Sequence, residues 1–346
     1  MIDPTILAHK LYNHNASSST VDWVMSYLTK RKQSVSFGGN SSEALEIEVG
    51  SPQGSVLSPL LFLILTSDIG LVVPELDIVT YADDITVSCS DVRAETVIGK
   101  LEEAAQKIIA YMNRQKLKLN PDKTKFIMFG RSKGQQIKVG TATIQKSKHE
   151  HLLGVEISQN LTWVAQYEKL SLELSRRLGL LRRLTFHLPK HVLLKLVTPV
   201  FTSKLMYAIE IYTDPSTSIV DGNSMDNRIA KLQKLQNRAM RIVLCPASKH
   251  WSEQRLLELT QQKSVLEISL QAVSRAAWCS LGPGNKRHVL GELVKSVQHG
   301  RMTRSTTMGI LPPQLSSGTL VSAMAKVWNF LPWEIREEKS VVIFKE

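Results

Sequence analysis

Two adjacent carboxylates, Asp83 and Asp84, stand between two short β-branched runs, Ile78-Val79-Thr80 and Ile85-Thr86-Val87. Alternation of period two across Leu76 to Ser88 predicts a pair of strands with an acidic turn. Carboxylates side by side repel one another unless a cation neutralises them. A divalent metal is the natural candidate, because phosphoryl-transfer enzymes of the two-metal type hold cations about 3.5–4 Å apart with aspartates. Mg²⁺ prefers oxygen donors of this sort, with Mn²⁺ as an alternative ion.

By itself a Tyr-x-Asp-Asp tetrapeptide is more often a solvated turn, so the blocks around it decide. Upstream, Gly50-Ser51-Pro52-Gln53-Gly54-Ser55-Val56-Leu57-Ser58-Pro59-Leu60-Leu61-Phe62 runs from a small-residue loop into an apolar segment. Downstream come Leu119-Asn120-Pro121-Asp122-Lys123-Thr124 and then His151-Leu152-Leu153-Gly154-Val155. In this order and spacing the four blocks resemble the palm motifs of reverse transcriptases of non-LTR retrotransposons, in the jockey-like and LINE-like branch.

That resemblance implies an RNA-directed DNA polymerase that uses an RNA template, a DNA primer and deoxynucleoside triphosphates, with two Mg²⁺ ions in the complete palm. Residue by residue, Asp83 and Asp84 match the metal-holding acidic turn, and Tyr81 matches the aromatic beside the primer end. Gln53, Gly54 and Ser55 match the segment against the incoming nucleotide and template, where glycine lets backbone approach a ligand. Lys123 matches the lysine that protonates the leaving pyrophosphate in the family's proposed mechanism. Leu153 and Gly154 match the primer-grip hairpin, with Leu152 where an aromatic is usual.

The departure from the family lies at the start. Two-metal chemistry asks for a further carboxylate on an adjacent strand, which the family supplies just before a Val/Ile-Asp step. Met1-Ile2-Asp3 looks like that step, so the resemblance places the further aspartate upstream of Met1 and the palm is read as truncated just after its first motif. Asp3-Pro4 instead reads as a helix N-cap followed by proline at the first helical position. An upstream endonuclease domain is typical of the family.

Composition agrees. The chain has 346 residues, 43% of them hydrophobic, which is enough for a substantial core. A net charge of +12 points to an anionic partner, nucleic acid before acidic membrane. No apolar run reaches the roughly 18 residues of a membrane span, and Met1-Ile2-Asp3 lacks a basic secretory n-region. The expected location is therefore inside the cell, in nucleus or cytoplasm. Cys89, Cys245 and Cys279 are scattered, which excludes a zinc knuckle or a disulfide framework and suggests buried, reduced thiols.

The fold class expected is α+β: a palm over residues 1–157, a helical thumb-like region over 158–250 and a helical C-terminal region over 251–346. Val21 to Leu28 reads as a buried helical segment, and Arg31 to Phe37 and Lys125 to Phe129 as strands. Leu101, Ala104, Ala105, Ile108, Tyr111 and Met112 recur at helical spacing, so Gly99 to Gln115 is expected to cover one sheet face. The acidic hairpin is expected to share a sheet with the strands at 31–37 and 125–129. Beyond Leu161, Leu170, Leu174, Leu178, Leu181 and Leu184 form an apolar stripe among Arg176, Arg177, Arg182 and Arg183, and Asn227 to Leu244 repeats the pattern with Arg238 and Arg241. Arginines so spaced suit duplex phosphates, contacted without reading sequence.

Other features read as structural. Asp68 is a turn residue after a helix, His149 and His151 mark a polar hairpin end, Gly282-Pro283-Gly284-Asn285 is a loop, and the Trp328 to Trp333 segment is packing. The alternatives kept beside a polymerase are a catalytically dead relic that still binds nucleic acid, and an unrelated metal-dependent phosphohydrolase, which explains none of the surrounding blocks.

Overall fold

The computed structural model describes residues 2–130, 136–215, 227–244, 250–281 and 320–330. It divides into two compact units, residues 1–150 and 151–346. The class is α+β, as the sequence implies.

The first unit opens with α1 (Pro4–Asn13), and Asp3 caps it as expected: its carboxylate accepts from the backbone N–H of Thr5 and Ile6, with proline at the first turn. Ser17 caps α2 (Ser18–Leu28). With α3 (Leu57–Thr66) these helices bury Leu7, Leu11, Val21, Val24, Leu28, Leu61 and Leu65 in one cluster. Between α2 and α3 the expected single strand at 31–37 is broken. β1 (Arg31–Gln33) pairs antiparallel with β4 (Leu45–Ile47), while β2 (Ser36–Phe37) folds back on β3 (Asn40–Ser41). Two short ladders form because the chain reverses between Phe37 and Asn40, where Gly38 and Gly39 both adopt positive φ.

β5 (Asp77–Tyr81) and β6 (Asp84–Ser88) form the acidic hairpin, in register from Asp77↔Ser88 to Tyr81↔Asp84. Among the described residues this hairpin is a two-stranded sheet of its own, so the expectation of a common sheet with β1 and with the strand near residue 126 is corrected. A hairpin this small is marginal alone and needs a partner surface. α4 (Ala94–Arg114) supplies it: Ala104 and Ile108 of the helix and Val73 are buried against Ile78 and Val87, one from each strand.

A second face of α4, with Val97, Ile98, Leu101, Ala105 and Ile109, packs on Phe126, Met128, Ile137, Val139 and Ile144. These belong to or adjoin β7 (Phe126–Ile127), β8 (Gln136–Val139) and β9 (Ala142–Ser147), ordered β7-β9-β8. The strand expected over Lys125 to Phe129 is thus shorter and runs parallel to β9. α4 therefore carries the hairpin on one face and this sheet on another, and it begins earlier than the periodicity suggested because Ala94, Val97 and Ile98 extend the apolar stripe.

In the second unit, β10 (His149–Leu152), which begins at the boundary, and β11 (Val155–Ser158) form a hairpin, and helices follow. α5 (Val164–Leu184) buries Leu170, Leu174, Leu178 and Leu181 of the predicted stripe, while Leu184 at its end is half-buried. It packs with α7 (Ser203–Met206), which follows α6 (Lys190–Val197), with α8 (Ile209–Tyr212), and with helices Asn227–Leu244 and Val265–Leu281 around Phe201, Leu205, Ile209, Ile229, Leu232 and Ile268. A further cluster joins Val273, Ala277 and Trp278 to Met324, Val327 and Trp328 of helix Leu320–Phe330. Trp328 is thus packing, while Trp333 and the 282–285 loop lie outside the described residues. Cys89 is half-buried and Cys279 exposed, rather than both being buried. Cys245 lies outside the described residues.

Candidate active site

The turn of the acidic hairpin is the two-residue loop Ala82-Asp83, and Asp84 is the first residue of β6. Ala82 adopts φ +51°, a conformation that hairpin turns usually give to glycine. Side chains alternate across the strands, so Ile78 and Val87 face α4 while Val79, Tyr81 and Asp84 share the opposite face. Val79 and Tyr81 are 61% and 66% exposed, and both aspartates are exposed. Neither carboxylate makes a hydrogen bond or ion pair with a described residue.

Those two carboxylates fit a divalent cation. Mg²⁺ is commonly held by one or two carboxylates together with substrate phosphates and water, rather than by a cage made wholly of protein. Among the described residues no group of three or more His, Cys, Asp or Glu side chains converges to hold a metal.

The Gln53-Gly54 loop is pinned from several sides. The Gly50 N–H donates to the Ile2 carbonyl at 2.7 Å, and the Arg31 guanidinium donates to the Gly50 carbonyl at 2.7 Å. The Ser58 hydroxyl donates to the Pro52 carbonyl at 2.8 Å. The Ser55 hydroxyl accepts from Tyr27 and from the Leu57 N–H, so this residue ties the loop to α2 and to the start of α3. Gln53 and Gly54 are left exposed at the tip. Gly54 has φ +81°, and a Cβ built there would meet nothing within 4 Å. The backbone conformation, rather than tight packing, favours glycine at this position.

Lys123 is exposed in the turn Asn120 to Thr124, its N–H bonded to the Asn120 carbonyl. Asp68 lies just after α3, as expected of a turn residue, and is occupied: Lys10 forms an ion pair with one carboxylate oxygen, and the Tyr111 hydroxyl donates to the other at 2.6 Å. Burial pushes the Asp68 carboxyl up, but the bonds from Lys10 and Tyr111 together outweigh it and hold the carboxyl below its ordinary range. Asp3 is committed likewise: Lys116 reaches it at 2.7 Å, and chiefly that bond, against the opposing effect of burial, keeps its carboxyl low.

In the second unit, Leu153 and Gly154 form the tip of the β10–β11 hairpin, with φ +47° and +79°. His151 pairs with Glu156 at 2.6 Å across it. Arg176, Arg182 and Arg183 are exposed along α5, as is Arg238 on helix Asn227–Leu244. Arg177 and Arg241 are half-buried and donate to the carbonyls of Val200 and Trp251. The periodicity that placed six arginines on helical faces gave no sign of these two inward bonds.

Sequence reasoning also missed Tyr27, Arg31, Lys10 and Tyr111 as the residues that fix the Gln53 loop and the turn after α3. A polar side chain on an amphipathic helix carries no local mark of a partner tens of residues away.

Residues 1–157 match the family described as reverse transcriptase (RNA-dependent DNA polymerase). The chain is similar to the probable RNA-directed DNA polymerase from transposon BS of Drosophila melanogaster, 27% identical over 64% of this chain and 25% of that protein. It is also similar to the RNA-directed DNA polymerase from mobile element jockey of Drosophila funebris, 25% identical over 63% of this chain and 24% of that protein. The jockey protein of Drosophila melanogaster is 28% identical over 40% of this chain and 16% of its own length. The chain thus spans about a quarter of the length of the first two of these relatives. Among the described residues no helix is long and apolar enough to cross a membrane.

Proposed function

We propose that residues 1–157, which match the reverse transcriptase family, carry the form of it found in non-LTR retrotransposons, and that the chain is the polymerase region of a mobile element. It copies an RNA template into DNA from a DNA primer, using deoxynucleoside triphosphates. The observation that carries this reading is the hairpin turn within the matched segment, where Asp83 and Asp84 stand exposed with no protein partner among the described residues.

In this reading Asp83 is the principal carboxylate for two Mg²⁺ ions, Mn²⁺ being an alternative, and Asp84 supports it. Bound there, such ions activate the attacking hydroxyl and steady the leaving group. Tyr81 shares a face with Asp84 and offers its ring beside the primer end. The pinned loop presents the Gln53 side chain and the Gly54 backbone to the incoming nucleotide, and Ser55 braces that loop. Lys123 protonates the departing pyrophosphate oxygen. Leu153 and Gly154 touch the primer strand. Exposed Arg176, Arg182, Arg183 and Arg238 contact duplex phosphates, whereas Arg177 and Arg241 spend donors on backbone carbonyls.

An association with an endonuclease activity of the same mobile element, and action in nucleus or cytoplasm, belong to the proposal as well.

A Mn²⁺ titration followed by electron paramagnetic resonance tests the assignment without relying on turnover. The full chain is expected to bind Mn²⁺ in competition with Mg²⁺, and the double variant Asp83→Ala, Asp84→Ala to lose at least tenfold in affinity. Unchanged Mn²⁺ affinity in that variant would remove these residues from the site.

A further inference from the structure

The tip of the β10–β11 hairpin is held by a tyrosine more than fifty positions further along the chain. The Tyr207 hydroxyl donates to the Leu153 carbonyl at 2.5 Å. The same ring lies under the turn: a Cβ built on Gly154 would stand 3.4 Å from Tyr207 Cε1. One side chain therefore engages both residues of the tip, by hydrogen bond and by contact.

Tyr207 is itself anchored to the helical core. Its carbonyl accepts from the Tyr212 hydroxyl at 3.3 Å, and the carbonyl of Tyr212 in turn accepts from Tyr167 at 3.1 Å. Tyr212 is buried, its ring edge-on to Tyr167. On the outer side, the Lys204 ammonium lies 5.7 Å from the centre of the Tyr207 ring and pairs with Glu173 of α5 at 2.9 Å. Tyr207 is thus held through its backbone, its ring and its hydroxyl while the residue remains 48% exposed.

We propose that Tyr207 is the positioning residue that holds the Leu153-Gly154 tip in the conformation that meets a primer–template duplex. This rests on the reading of that tip as a primer contact. Leu153 and Gly154 both adopt positive φ, which a leucine holds only when its surroundings dictate it. The bond from Tyr207 is one such constraint. Without it the tip samples other conformations, and the duplex must select the competent one, which weakens apparent binding.

The test uses the full chain and a fluorescent RNA–DNA hybrid, with affinity read by anisotropy and tip order by hydrogen exchange at residues 153–156. Tyr207→Phe keeps the ring and removes the hydroxyl; Leu153→Ala alters the tip itself. In Tyr207→Phe, faster exchange at the tip and hybrid affinity lowered about threefold to tenfold, as a lost hydrogen bond of ordinary net strength implies, are expected, with the melting temperature lowered by only a few degrees. Tyr207→Ala should weaken binding further. If Leu153→Ala weakens binding while Tyr207→Phe leaves both exchange and affinity unchanged, the positioning role is overturned and the primer-contact reading stands. If Leu153→Ala leaves affinity unchanged as well, the primer-contact reading fails, and the role given to Tyr207 falls with it.

Discussion

Replacing Tyr111 with phenylalanine should destabilise the first unit by about 1.5 kcal/mol at neutral pH, and the loss should fade in acid. Tyr111 is 3% exposed on α4; its hydroxyl donates to Asp68 at 2.6 Å and lies 3.3 Å from the Leu65 carbonyl. A hydrogen bond to a charged acceptor contributes about 1.5–3 kcal/mol. The Asp68 side chain is 42% exposed, so water replaces part of what is lost and the lower end applies. The phenyl ring keeps the contact beneath Lys10, whose ammonium lies 5.5 Å from the ring centre. For the acid limb, the folded Asp68 carboxyl titrates below its ordinary 3.8, so its contribution is present above that pH and is lost as pH falls through the folded value. Removing a donor to the carboxylate raises the folded value, so the gap between wild type and variant should narrow below about pH 4. Urea unfolding followed by circular dichroism, in steps from about pH 7 to about pH 2.5, measures both quantities. A gap below about 0.5 kcal/mol at pH 7, or one that stays constant down to the acid end, would refute this account of the Lys10–Asp68–Tyr111 network.

Ala82→Gly should stabilise the acidic hairpin by about 0.5–1 kcal/mol, because φ +51° strains alanine and not glycine; a lower urea midpoint would contradict this. Leu174→Ala, at a fully buried position of α5, should cost about 2–5 kcal/mol by the same measurement. Affinity for an RNA–DNA hybrid should fall with salt at a log–log slope of about −0.9 per phosphate neutralised, the B-form value. The double variant Arg182→Ala, Arg183→Ala should flatten that slope by about two such increments, whereas an unchanged slope would make these arginines merely solvated.

Much of the architecture was legible because it is periodic. Alternation around Asp83 and Asp84 marked a hairpin, and the spacing from Leu101 to Met112 marked the helix beneath it. Asp3-Pro4 marked a capped helix start. Strand partnership was not legible: nothing local to Ile78 or Phe126 states that β5–β6 stays apart while β7 joins β9 in parallel. Such pairing is settled by which apolar faces α4 can cover at once. The ties that shape the site were equally hidden, since Arg31 to Gly50, Tyr111 to Asp68 and Tyr207 to Leu153 each join residues remote in sequence. The acidic turn and the glycine loop stood out as candidates because the chemistry of Asp-Asp and of Gln-Gly resides in the residues themselves.

Incorporation of labelled deoxynucleotide on a primed RNA template tests the central claim most directly. It should be run with the full-length protein of the element and with Asp83→Ala in that protein. Mg²⁺-dependent synthesis by the full-length protein and its abolition by Asp83→Ala are predicted. Synthesis that survives Asp83→Ala would contradict the assignment of the acidic hairpin as the catalytic centre.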